Sequence, residues 1–285
     1  MATIRQINRR IKSVRNTSKV TKAMEMISAS KMRRAQERTL AARPYAEKIK
    51  QVLADLAAQT LVGEEGHPLL VKRPVNKVAV VHITPDRGLC GGLVANVNRS
   101  AARFIMDKGV PVSTTAIGRK GRDFMLRSGQ QVRAEFINMS DKPSVSDILP
   151  VARIVVDDYI AGLVDEVYVS YTQFVNTVSQ KPAMVKLLPI EPTVFEAGKN
   201  NEYIYEPTPE AVMSELLPRF IEMSLYHALL EAIASEQSAR MVAMRNATDN
   251  AHELIGELTL KYNKARQEMI TKELLDIVGG VAALE

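Results

Sequence analysis

Tryptophan is absent from this chain of 285 residues, and the other aromatics are few, 8 tyrosines and 6 phenylalanines. Methionine, with 13 residues, outnumbers either of them. That balance suits helical seams better than the aromatic core of a β-sandwich. Cysteine occurs once, at Cys90, so no internal disulfide can form, which fits a reducing compartment. No apolar run reaches the roughly 18 residues that a membrane-spanning helix needs, and the opening residues lack the apolar core of a secretory signal. The four histidines, His67, His82, His227 and His252, have no metal-ligand spacing with each other or with Cys90. No carboxylate pair reads as an acid/base dyad, since Asp157 and Asp158 are adjacent on a predicted helix and do not face one another. There is no internal repeat and no low-complexity tract.

Acidic residues are scarce at the start. Glu25, Glu37 and Glu47 stand alone against 14 lysines and arginines in the first 50 residues, among them Arg9, Arg10, Arg33 and Arg34. With a net charge of +6, this asks for an anionic partner: nucleic acid, anionic lipid or an acidic protein surface.

The two ends carry the strongest pattern. In alternating steps of four and three from Leu216 to Met269, every position is apolar except His227, Gln237 and Thr248. A period of 3.5 held this long predicts a left-handed coiled-coil seam. A helix of about 70 residues spans roughly 100 Å. Thr208, Pro209 and Glu210 supply a start signal, Pro218 predicts a kink or fresh start near Leu217, and Gly279 with Gly280 predicts fraying at the far end. At the other terminus, Ile4, Ile7, Ile11 and Val14 begin a heptad stripe that passes through Ser18 and Thr21. Apolar character then resumes on a shifted face at Met24 and Ile27. Helices so distant in sequence bury their stripes against each other or against a partner, which predicts an elongated object with a compact domain on it.

Between them, strands are predicted at 77–83, 112–117, 131–137, 166–173 and 183–189, with helices at 93–106, 119–127 and 144–162. The alternation predicts a doubly wound sheet with a parallel core. The connection between the last two strands is too short for a crossover helix, so an antiparallel hairpin is expected. Residues 63–68 and 196–201 read as connectors. The fold class is therefore α/β: a long antiparallel coiled coil of N- and C-terminal helices (1–58 and 209–285) plus a central Rossmann-like domain (75–205).

The loop 84–92, with Asp86, Gly88, Cys90, Gly91 and Gly92, lies between a strand and a helix, where α/β folds cradle phosphates. It lacks the Gly-Lys-Ser/Thr ending of a P-loop, so a tight turn at a strand end is the expected role. A nucleophilic Cys90 would need a histidine in hydrogen-bond reach, and the nearest in sequence is His82. The basic first helix lacks the interleaved aromatics of a nucleic-acid stacking platform.

Three segments, 11–36, 86–93 and 235–280, are similar to the gamma subunit of F-type ATP synthases, and the resemblance extends over essentially the whole chain. Within them stand Thr21-Lys-Ala-Met-Glu-Met-Ile27, Arg240-Met-Val-Ala-Met-Arg245 and Tyr262-Asn-Lys-Ala-Arg-Gln267. The resemblance implies a rotor shaft without catalytic residues, cofactor or metal. The shaft stands inside a hexamer of alternating alpha and beta subunits and, with the epsilon subunit, docks on the membrane ring of c subunits. It implies a peripheral complex at the cytoplasmic face of the cell membrane, with no direct membrane insertion and no nucleic acid. Residue by residue, Met24, Arg266 and Gln267 match rotor–stator contacts, and Ile277, Val281 and Leu284 match the shaft tip. Arg9, Arg10, Arg33 and Arg34 become a basic face toward an acidic loop on beta. Val94 stands where many members have Asn, and Val281 where Ala is usual. The alternatives are a coiled-coil nucleic-acid-binding protein and a nucleotide-dependent enzyme built on the glycine loop.

Overall fold

The computed structural model describes residues 3–60, 67–190 and 205–282, without the side chains at 43, 50, 57–60 and 279–282. In chain order the elements are α1 (Ile4–Thr60), β1 (Val78–Ile83), α2 (Leu93–Lys108), β2 (Val112–Ile117), α3 (Arg119–Arg127), β3 (Gln131–Phe136), α4 (Val145–Ile160), β4 (Glu166–Phe174), β5 (Gln180–Leu188) and α5 (Pro209–Ala282). The chain forms two compact units, Ala29–Arg240 and the pair Met1–Ser28 with Met241–Glu285. Helices α1 and α5 contribute to both. Connector 196–201 and most of 63–68 lie outside the described residues.

In the unit Ala29–Arg240 the sheet order is β3-β2-β1-β4-β5. The first four strands in that order are parallel, and β4 pairs with β5 antiparallel. Strand β1 is central and buried along its length, as a β-branched run covered on both faces must be. Its alternate residues split between two cores. Ala79, Val81 and Ile83 face a core shared with α4, with Ile49 and Leu53 of α1, and with Leu217, Ile221 and Leu225 of α5. Val78 and Val80 face a smaller core made with Ala101 and Ile105 of α2 and Met125 of α3. Helix α4 starts where Ser144 was expected to cap it: the Ser144 amide and hydroxyl both donate to Asp147 Oδ2, at 2.8 and 2.9 Å.

Three expectations change here. Strand β5 begins at Gln180, not at 183, because an edge strand tolerates Pro182. The hairpin turn is closed by Asn176, whose Oδ1 accepts from the amides of Val178 and Ser179. Helix α5 continues through Pro218, so there is no fresh start near Leu217. Burial of Met213, Leu217, Phe220 and Ile221 around the proline offsets the lost hydrogen bond. Its backbone also stays helical through Gly279 and Gly280 to Ala282.

In the second unit the helices run antiparallel, since Ser18, Thr21 and Glu25 meet His252, Thr248 and Arg245 in reverse order. Ile7 and Ile11 pack on Leu258, with Val14, Ile255, Tyr262 and Ala265 around them. The α5 stripe is buried where the 3.5 period places it, at Met244, Thr248, Ala251 and Leu258. The α1 stripe corrects the expectation of a shifted face. The buried positions continue in phase as Ser18, Thr21, Glu25 and Ser28, while Met24 is half-buried and Ile27 exposed. Cross-helix polar pairing explains it. The Thr21 and Thr248 hydroxyls are 2.7 Å apart, and Glu25 accepts from Arg245. A buried polar position is stable when its partner sits opposite, and hydropathy alone does not register this.

Candidate functional site

The glycine loop was the one place in the α/β unit with a motif for chemistry. Asp86 Oδ1 accepts from the Arg119 amide at 2.9 Å, so this carboxylate occupies the first turn of α3 itself. Arg240 of α5 donates to the Gly88 carbonyl at 3.2 Å and is held by Glu236 at 2.7 Å. Gly91 takes a left-handed φ of 59°, and a Cβ there would meet open space, so its conformation rather than its surroundings asks for glycine. These are the contacts of a braced turn. Cys90 is buried, and burial pushes its thiol above the ordinary range. His82 cannot activate it. Its Nε2 donates to Asn98 Oδ1 at 2.9 Å, and its Nδ1 accepts from the Ser170 hydroxyl at 3.1 Å. Full burial lowers the ring to about 4, so it stays neutral. Gly121 packs so closely above it that an added Cβ would lie 2.7 Å from His82 Cδ2. Among the described residues no cluster of His, Cys, Asp or Glu could hold a metal. No helix there is long and apolar enough to cross a membrane.

In the same unit a cavity of about 400 Å³ lies between α1, β4, β5 and α5. Ser224 and His227 line it, and His227 Nδ1 lies 3.8 Å from Glu231 Oε1. Tyr171 also lines the cavity and rises to about 12 through burial and the nearby Glu231, whose own carboxyl burial pushes up.

The surfaces that ask for a partner are on the helices. In α5 the side chains beyond Leu258 lose their cover progressively. Tyr262 and Ala265 are half-buried, and Met269, Ile270, Leu274, Leu275, Ile277 and Val278 are exposed, Ile277 by 64%. An apolar stretch this long is not left in water without a partner surface. Arg266 and Gln267 precede it, exposed. Val281 is helical, with its side chain outside the described set, and Leu284 lies outside the described residues altogether.

Met24 is half-buried beside the polar layers of the helix pair. In the antiparallel register set by Thr21 and Thr248, Arg266 lies level with the start of α1, roughly 30 Å along from Met24. Met24 and the adjacent pair Arg266 and Gln267 are thus two separate stations on one helix pair. Arg9 and Arg10 are exposed in that unit. Arg33 and Arg34 are exposed in the other, where Arg34 donates to Ser30 Oγ at 2.8 Å.

The sequence reading missed Glu25. Its side chain is only 8% exposed, and it accepts from Lys22 Nζ at 3.0 Å and Arg245 Nε at 3.2 Å. The hydrogen bond from Lys22, helped by Arg245, holds its carboxyl below the ordinary range against the opposing effect of burial. The signal was present: position 25 continues the steps of four and three that begin at Ile7. Glu166 was missed too. Lys108 at 2.7 Å, Lys186 at 2.8 Å and the Tyr168 hydroxyl at 3.0 Å surround its carboxylate.

The family model described as "ATP synthase" matches residues 3–284. The ATP synthase gamma chain of Dehalococcoides mccartyi is 64% identical over 284 residues, covering 100% of both chains. That of a Roseiflexus species is 53% identical over 287 residues, covering 100% of this chain and 99% of the relative. A chain in the cryo-EM structure of the central stalk and c-ring of the Tetrahymena thermophila mitochondrial ATP synthase superposes with a TM-score of 0.65 at 27% identity. That match covers 80% of this chain and 99% of the other. None of these matches supports a nucleic-acid-binding reading. The chain belongs to the gamma-chain family of ATP synthases.

Proposed function

We propose that this chain is the central rotor shaft of its ATP synthase, a subunit with no active site of its own. The helices of 1–58 and 209–285 serve as the shaft, and the domain 75–205 serves as its foot. The observation that carries this reading is the uncovered apolar run from Met269 to Val278, on a helix that continues to Ala282. A sleeve of alpha and beta subunits would bury it. Ile277, Val281 and Leu284 are then the tip, Arg266, Gln267 and Met24 the rotor–stator contacts, and Arg9, Arg10, Arg33 and Arg34 a basic face toward acidic stator surfaces. The foot would dock, together with the epsilon subunit, on the membrane c-ring, which puts the complex at the cytoplasmic face of the cell membrane.

The mechanism follows from asymmetry. Three equivalent catalytic sites around an asymmetric rod have different conformational energies at any instant. Turning the rod cycles that bias from site to site. Reconstitution tests the proposal. The purified chain alone should hydrolyse no ATP, and one copy should join an alpha–beta hexamer with high turnover. ATP hydrolysis by the isolated chain would overturn it.

A further inference from the structure

Glu25 is a buried acid between two exposed cations. Its side chain is 8% exposed, against 56% for Lys22 and 64% for Arg245. Each carboxylate oxygen holds one of them, Oε2 the Lys22 ammonium and Oε1 the Arg245 Nε. The way Arg245 is held matters. Glu25 takes the guanidinium through Nε, so both terminal nitrogens stay unclaimed among the described residues, as do two of the three Lys22 donors. No other acid there pairs with either cation. A fork of terminal N–H groups beside an ammonium matches a carboxylate in geometry and charge. The backing is rigid. Thr21 and Thr248, one turn away on each helix, are hydrogen-bonded across the seam at 2.7 Å, so the acid and the guanidinium it holds have a fixed separation. Left unbacked, two long cationic side chains would each lose rotamer freedom on meeting a partner.

We propose that Glu25 is a positioning residue, whose buried carboxylate aims Lys22 and Arg245 outward as a paired grip for a carboxylate-bearing segment of the surrounding stator. The inference rests on the shaft reading above and adds the residue that presets the grip.

The test uses the reconstituted complex and compares E25Q, the double variant K22Q/R245Q and the triple variant. The readout is ATP turnover and shaft retention as ionic strength is raised. E25Q should weaken retention about as much as the double variant, by about fivefold. The triple should stay within about twofold of the double, because Glu25 acts only through the two cations. E25D, which keeps the charge, should recover more than half of the loss. A triple variant whose loss is the product of the two separate losses would overturn the proposal, since a residue that merely stabilises the helix pair would behave so. If E25Q lowers the helical signal of the free chain, R245K replaces it, because it keeps the charge and drops the fork. Unchanged retention with R245K would equally overturn the proposal. Failure of the unaltered chain to join the hexamer would instead refute the shaft reading, so the two failures are distinguishable.

Discussion

Replacing Glu166 by Gln should destabilise the α/β unit at neutral pH and do little in acid. Burial alone would raise this carboxyl, but hydrogen bonds from Lys108, Lys186 and Tyr168 outweigh burial and bring it from 4.5 down to about 2. A depressed carboxylate contributes stability that is complete above its unfolded value and disappears as pH falls through its folded one. The window is therefore about pH 4.5 down to about pH 2. A shift of that size corresponds to at most about 3 kcal/mol. The side chain is 11% exposed, but its lysine partners are 24% and 28% exposed, so solvent screening reduces the working figure to about 2 kcal/mol. The assay is denaturant unfolding of the full chain, followed by tyrosine fluorescence, which reports from Tyr168 and Tyr171 on β4. At pH 7 the E166Q variant should be about 2 kcal/mol less stable than the unaltered chain. Near pH 2 the two should converge to within about 0.5 kcal/mol. A gap that stays constant across this range would refute the argument, because it would mean that Glu166 acts through shape and not through charge.

Other expectations are separable in the same way. Gly121→Ala should cost about 2 kcal/mol, because the new methyl would lie within 2.8 Å of His82 Cδ2, Thr84 Oγ1 and Thr84 Cγ2. Gly91→Ala, with open space but a positive φ, should cost about 1 kcal/mol, and thermal unfolding should rank the two. Leu274→Ser with Ile277→Ser should leave the free chain's stability within about 0.5 kcal/mol, since both residues are exposed. The same change should weaken its assembly with the hexamer. Losing stability without losing assembly would mean that the run is covered within the chain. Removing the Arg266 and Gln267 side chains should lower turnover or coupling of the assembled enzyme while circular dichroism stays unchanged; normal turnover and coupling would remove them from the contact set.

How much of this was legible beforehand depends on which force shaped each segment. Strands β1, β2 and β4 lie inside the sheet and are largely buried, and the edge strand β3 alternates polar with apolar residues, so composition and alternation located them. The start of β5 was hidden by Pro182, whose acceptability depends on an edge position that only the topology reveals. The α5 seam followed its 3.5 period because its contacts are apolar. The hydropathy pattern of α1 goes out of phase at Met24 and Ile27 while the seam itself does not, because Thr21, Glu25 and Ser28 are buried without being hydrophobic, Thr21 and Glu25 through pairing across the seam. The braced character of the glycine loop was expected from its missing Lys-Ser/Thr ending, but its clamp by Arg240, a residue 152 positions from Gly88, was not. The uncovered apolar end of α5 was visible as residues, and its exposure required the structure.

The central claim is that this chain turns. Cys90 is buried and unsuited to labelling, so a cysteine at Met106, which is 80% exposed on α2, in a Cys90→Ser background, would carry a bead, with the alpha–beta hexamer fixed to glass. On addition of ATP the account predicts stepwise rotation of the bead in one direction. A bead that stays still while the same complex hydrolyses ATP would contradict it.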